Sequence, residues 1–199
     1  MIVLDVETTG VNPEKNSIVS IGAVDFFNPQ NQFYQACRIW DGAEINKDAL
    51  KVNGFTEEQC RRLNPFSLAQ TIHSFRQWVE KIDNQTFAGQ NPSFDQMFLV
   101  SAIKKSNMAW SIRKRSVDMH SLAYAHMLQN GIKIPLWNKK TDLNTSKIFQ
   151  YVGLLEQAHV HNALTDSKMT AEAISRIIFG KNLLVEYQEF SIPELFTST

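Results

Sequence analysis

The chain has 199 residues, a length suited to one domain with a modest appendage and too short for two full domains. Hydrophobic residues make up 43% and charged residues 20%, without a low-complexity tract, which excludes a disordered or fibrous chain. Lys plus Arg and Asp plus Glu number 20 each, so no global field draws the molecule to a polyanion or an anionic membrane, and any such partner must be held locally.

Ile2 to Val6 is a short apolar run with β-branched residues, followed by Thr8, Thr9 and Gly10, and reads as a buried strand entering a turn. Ser17 to Phe27 is a second strand, Asn28-Pro29-Gln30-Asn31 supplies turn chemistry, and Gln32 to Trp40 returns as a third. From Ser67 to Ile82 the residues Leu68, Ile72, Phe75, Val79 and Ile82 recur at helical spacing. Thr86 to Ala88 is a short central strand. Phe94, Met97, Phe98, Ala102 and Ile103 mark a helix opened by Asn91-Pro92. Val117-Asp118 ends a further strand, and a helix runs from about Met119 to Leu128. Gly131 to Trp137 is broken by Gly and Pro, and Leu143 to Val152 returns to helical spacing. A long final helix covers about Asn162 to Phe179, with Ala163, Thr170, Ala173 and Ile177 along one face. Three early strands followed by alternating helices and short strands predict an α/β fold, a mixed sheet flanked by helices.

No apolar run approaches the length of about 18 residues that crosses a bilayer, so no membrane partner is expected. Cys37 and Cys60 lack the spacing of a zinc site and are too few for a disulfide framework, which predicts idle thiols in a reducing compartment. The apolar stretch Ile2 to Leu4 ends at Asp5 without the features of a secretory leader, and the expected location is cytoplasmic.

Three acidic features stand out. Asp5 and Glu7 lie at i and i+2 of a strand, on one face and about 6.6 Å apart along the chain, where both reach one cation cluster. Burying two like charges without neutralisation is costly, and a metal removes that cost; a solvated strand end would also tolerate them. Asp95 sits early on its helix, where the macrodipole alone favours an acid. Asp166 falls on the apolar face of the last helix and wants a partner, with His161 on the preceding loop and His159 as a rival.

Together these segments resemble the DnaQ-like DEDD 3′–5′ exonucleases of the RNase H-like superfamily. Val3-Leu4-Asp5-Val6-Glu7-Thr8-Thr9-Gly10 looks like the first motif of that family, Asn91 to Asp95 the second, and His161 to Asp166 the third, in the family's order over residues 1 to about 178. Ile45 to Thr56 resembles the segment between the family's third strand and first long helix. Asn162 stands where the other branch has Tyr, and His161, five residues before Asp166, fits the histidine branch; His159 has the wrong spacing. Gln90 departs from the His that relatives often carry before Asn91.

The resemblance implies an RNase H-like mixed sheet and a metal-dependent hydrolase releasing nucleoside 5′-monophosphates from 3′ ends. It makes Asp5, Glu7, Asp95 and Asp166 ligands of two Mg²⁺ ions, replaceable by Mn²⁺, and His161 the general base. Thr8, Gly10, Val11, Asn91 and Phe94 are expected at the terminal nucleotide. Lys104-Lys105, Arg113-Lys114-Arg115 and Lys139-Lys140 are local basic clusters able to follow a phosphate chain. The leading expectation is a DNA exonuclease, free-standing or proofreading for a polymerase, acting preferably on single strands. An exoribonuclease, an inactive nucleic-acid-binding scaffold and an internally cutting RNase H-fold enzyme are the alternatives. The expected division is an exonuclease domain over 1–180 and a tail over 181–199 that packs back or docks a protein partner.

Overall fold

The computed structural model describes residues 1–154 and 161–197. A five-stranded sheet has the order β3-β2-β1-β4-β5, built from β1 (Ile2–Thr8), β2 (Ile18–Asp25), β3 (Gln32–Ala36), β4 (Phe87–Gly89) and β5 (Ser116–Asp118). The first three strands form an antiparallel meander, and β4 and β5 run parallel to β1. The RNase H-like mixed sheet expected from the sequence is therefore the fold.

Alternation along β1 divides the core. Ile2, Leu4 and Val6 face one way, against α2 (Leu68–Val79) and α3 (Pro92–Lys105). Val3 faces the other way, into the cluster formed with α4 (Met119–Gln129), α5 (Thr145–Tyr151) and α6 (Ala163–Phe179). By the same period of two, Asp5 and Glu7 project on the side of α6.

The expected third strand ends early, at Ala36. After Cys37 bonds Val19, the Arg38 amide donates to Phe66 and the Ile39 amide to Cys60, so the chain leaves the sheet to meet the loop before α2. That helix starts where a full capping box forms between Ser67 and Gln70, and it ends at Val79 rather than Ile82. Elements not anticipated among the described residues are α1 (Lys47–Asn53), a π-helical turn at Gln59–Leu63, a hairpin of β6 (Leu136–Trp137) and β7 (Lys140–Thr141), and short 3₁₀ turns at Val185–Tyr187 and Glu194–Phe196. Cys37 and Cys60 are both buried free thiols.

The position of α6 is set by one small residue. A Cβ on Gly22 of β2 would lie 2.1 Å from the backbone of Ala163, so the first turn of α6 rests directly on the strand. The Ser167 hydroxyl reaches Gly22 O at 2.8 Å at the same place. Further along, Glu172 and Arg176 form a fully buried ion pair (2.9 Å) that ties residues 181–197 to the body. The Arg176 guanidinium donates to Val152 O, Asn182 Oδ1, Tyr187 O and Phe190 O, while Glu172 accepts from the amides of Leu183 and Leu184. Among the described residues no helix is long and apolar enough to cross a membrane.

Candidate active site

The sheet opens where β1 and β4 part. Their ladder pairs only Ile2 with Phe87 and Val3 with Ala88, so the C-terminal half of β1 has no strand on that side. The amide of Val6 would be left unsatisfied there. It donates instead to Asp95 Oδ1 at 3.0 Å, which draws the first turn of α3 against β1 and buries the Asp95 carboxylate beside the strand.

The last helix brings the remaining groups from the opposite side. Asn162 caps α6, its side chain accepting from the amides of Leu164 and Thr165. The Asn162 amide in turn donates to Asp166 Oδ2 at 3.2 Å. His161 stands just outside the cap, its Nδ1 3.2 Å from Asp166 Oδ2. Potential ligand atoms of Glu7, His161 and Asp166 lie within 4.8 Å of one another. The structure thus gathers Asp5, Glu7, Asp95, His161 and Asp166 from β1, α3 and α6 at one end of the sheet. His159 lies outside the described residues.

Crowding of carboxylates at this buried point shows in their proton affinities. Burial pushes Glu7 up to about 7, reinforced by the charge of Asp166 and opposed by His161 and a hydrogen bond from Asn53. Asp95 rises to about 8, again through burial first, against the lowering effect of the Val6 amide. Asp5 is driven well above the carboxylate range by burial and then by the charges of Asp95, Glu7 and Asp166. A cluster of oxygen donors that resists ionisation for lack of positive charge fits a hard divalent cation.

The residues expected at the nucleotide take varied positions. Val11 is 80% exposed at the end of β1, on the loop toward β2. Thr8 is buried and donates to Gly10 O, which shapes the turn. Gly10 makes room for the protein itself, since a Cβ there would meet the Asn16 side chain at 2.5 Å. Asn91 adopts a left-handed conformation (φ 52°) before α3, with its amide held by Asp118 Oδ1 at 3.1 Å. Phe94 is half-buried and packs against Phe98, so it is part of the core.

The sequence places Asn53 in the family-like segment Ile45 to Thr56 but gives neither it nor Val52 a role as a support of this site. Asn53, buried at the end of α1, donates to Thr8 O at 3.0 Å and bonds Glu7, and Val52 O accepts from the amide of His161. The signal was present as Asn53-Gly54, since Gly54 (φ 71°) terminates α1 in the left-handed conformation. Gln90 donates its side-chain amide to Leu143 O at 3.4 Å, linking the second motif to the segment after β7.

A family model described as "Exonuclease", of the RNase T group, matches residues 2–174. The chain is 27% identical over 177 residues to a PolC-type DNA polymerase III of Thermotoga petrophila, covering 89% of this chain but only 12% of that polymerase. It is 27% identical over 118 residues to ribonuclease T of Actinobacillus pleuropneumoniae, covering 53% of this chain and 54% of the relative. Among solved structures, Escherichia coli exonuclease I in complex with a dT13 oligonucleotide superposes with a TM-score of 0.69 at 17% identity, over 88% of this chain and 40% of that one. This last likeness is one of fold.

Proposed function

The chain belongs to the RNase T exonuclease family, and from that premise we propose that it is a metal-dependent 3′–5′ exonuclease acting on single-stranded DNA 3′ ends. The observation that carries the reading is the convergence of four carboxylates and one histidine where β1 loses its neighbour. Asp5, Glu7, Asp95 and Asp166 would hold two divalent cations, Mg²⁺ with Mn²⁺ as a substitute. When bound, these supply the positive charge that acidifies water and offsets the build-up of charge on the phosphate and the leaving 3′ oxygen.

The chain's own residues do the rest. His161 takes the proton of the attacking water; its Nδ1 faces Asp166, which supports Nε2 as the basic atom. Val11 and the turn at Thr8 to Gly10 bear on the terminal nucleotide from one side, Asn91 and Phe94 from the other. The product is a nucleoside 5′-monophosphate.

DNA is favoured by the likeness to a DNA polymerase over nine-tenths of the chain, and that likeness supports proofreading for a polymerase as the setting. Similarity to ribonuclease T supports a second reading, the trimming of RNA 3′ ends. The test is parallel degradation of 5′-labelled single-stranded DNA, duplex DNA and RNA of one sequence with Mg²⁺. Shortening from the 3′ end, fastest on single-stranded DNA and blocked by a 3′-phosphate, is expected. Mononucleotides released from a 5′ end, or cutting of a closed circle, would overturn the assignment.

A further inference from the structure

The β6–β7 hairpin presents an unusual surface at the catalytic end of the sheet. Its strands pair Leu136 with Thr141 and Trp137 with Lys140, so Trp137 and Lys140 share one face. Trp137 is 70% exposed, whereas the other three tryptophans pack against the α2–α3 core. Asn138 (φ 48°) and Lys139 (φ 65°) at the tip both take positive φ, as a type I′ turn requires. Glycine is preferred at the second of these positions, yet a lysine stands there. Lys140 pairs across the strands with Trp137 and Lys139 follows at the tip, and the nearby acid Asp142 is paired with Lys147.

The root of the hairpin is fixed to the site's own framework. Thr141 Oγ1 meets His120 Nε2 at 3.1 Å on the first turn of α4, and Leu143 O accepts from Gln90, next to Asn91. Both anchors lie at the C-terminal ends of β4 and β5, the end at which β1 carries Glu7. With β4 between β1 and β5, the root stands at least about 10 Å across the sheet from β1, since β1 and β4 part toward this end. A chain held at its 3′ end in the site would reach it within a few nucleotides.

We infer that the β6–β7 hairpin is a second binding site for the substrate strand, in which Trp137 stacks on a base upstream of the 3′ end while Lys139 and Lys140 hold the flanking phosphates. This rests on the exonuclease reading above. An exposed aromatic beside Lys139 and Lys140, which form no ion pair among the described residues, matches the chemistry of single-stranded nucleic acid, which offers a π-face and a phosphate at every step. A two-stranded hairpin is barely stable alone, so the anchors to His120 and Gln90 are what keep the indole in place.

The test compares kcat/KM on single-stranded oligonucleotides from a dinucleotide, too short to span both sites, to about 12 nucleotides, within the range of about 4–16 of known single-strand sites. In the wild type kcat/KM should rise with length. In Trp137→Ala the ratio of the longest to the shortest substrate should fall about 5- to 100-fold, while Trp137→Phe, which keeps a ring, should retain most of the rise. Lys139→Gly should leave Tm unchanged or raised and reduce the salt slope of binding by about 0.7. If the wild type cuts every oligonucleotide and Trp137→Ala keeps the same length dependence, the inference fails and the exonuclease reading stands. A change in oligomeric state without a change in length dependence would assign the hairpin to a protein contact and also overturn it. If the wild type cuts none with Mg²⁺ or Mn²⁺, both readings fall.

Discussion

At the scale of single residues, Asp5, Glu7 and Asp95 are carboxylates whose protons are hard to remove without added positive charge. For Glu7 and Asp95 the folded values, about 7 and about 8, lie above the ordinary 4.5 and 3.8. A raised acid stabilises the fold fully below its unfolded value and loses that contribution as pH climbs through the folded one. The metal-free protein should therefore lose Tm as pH rises from about 4.5 to about 8, and Mg²⁺ should restore it at the upper end. Glu7→Gln should flatten this slope, raise the metal-free Tm near pH 8, and cost at least about 100-fold in hydrolysis, roughly 2.7 kcal/mol. A variant retaining a tenth of the activity would remove Glu7 from the site. His161→Ala is expected to behave differently, because bound cations acidify the water without help. It should lose about 10²- to 10⁴-fold in rate, keep its metal affinity, and recover in part at high pH, where hydroxide replaces the base. Loss of metal binding in a calorimetric titration of His161→Ala would show that the ring is a ligand.

Elements carry these residues, and Gly22 is where their placement is most exposed to a single change. With Ala163 backbone 2.1 Å from where a Cβ would sit, Gly22→Ala must lift the first turn of α6 off β2. That turn bears Asp166 and sets the position of His161 just before the cap, so the substitution should cost about 1–3 kcal/mol from overpacking and far more than a proportionate share of activity. An alanine variant with wild-type kcat would show that the helix start is free to shift. Nothing in the sequence marks Gly22, which reads as one position of a β-branched strand. Legible features were those with long periods or caps: β1, the stripe of α2, Pro92 opening α3, and Asn162 before α6. The site residues were legible only in combination, because Asp-x-Glu and an early helical Asp are each common alone. Hairpin β6–β7 escaped because two-residue strands have no periodicity, and Asn138-Lys139 lacks the glycine that usually signals such a turn. Helix α1 is short, and its two buried residues, Leu50 and Asn53, make too weak a pattern to read.

Over the whole molecule, the question is what makes residues 181–197 part of the domain. Glu172 and Arg176 are spaced i, i+4, which in a sequence is an ordinary surface pair; here both are fully buried. The tail supplies their partners: Leu183 and Leu184 amides bind the carboxylate, and Asn182, Tyr187 and Phe190 oxygens bind the guanidinium. Leu184 is buried, and Phe196 enters the core beside α6 with Leu183 packed against it, the Phe196 ring stacking on His126 at 4.5 Å. Arg176→Met keeps the bulk of the side chain but leaves the buried Glu172 charge without its cation and several carbonyls without a donor, a loss of about 3–5 kcal/mol for a broken buried pair. At about 2–4 °C per kcal/mol for a chain of this size, Tm should fall by roughly 6–20 °C. Asp166 lies ten residues earlier on α6, about 15 Å along the axis, so the folded fraction at low temperature should still hydrolyse substrate. Limited proteolysis should then cut after residue 180 in the variant and spare the wild type. If Arg176→Met melts with the wild type, the tail is not anchored by this pair. If it melts early yet resists cleavage there, the pair stabilises α6 and its neighbours without being what fastens the tail.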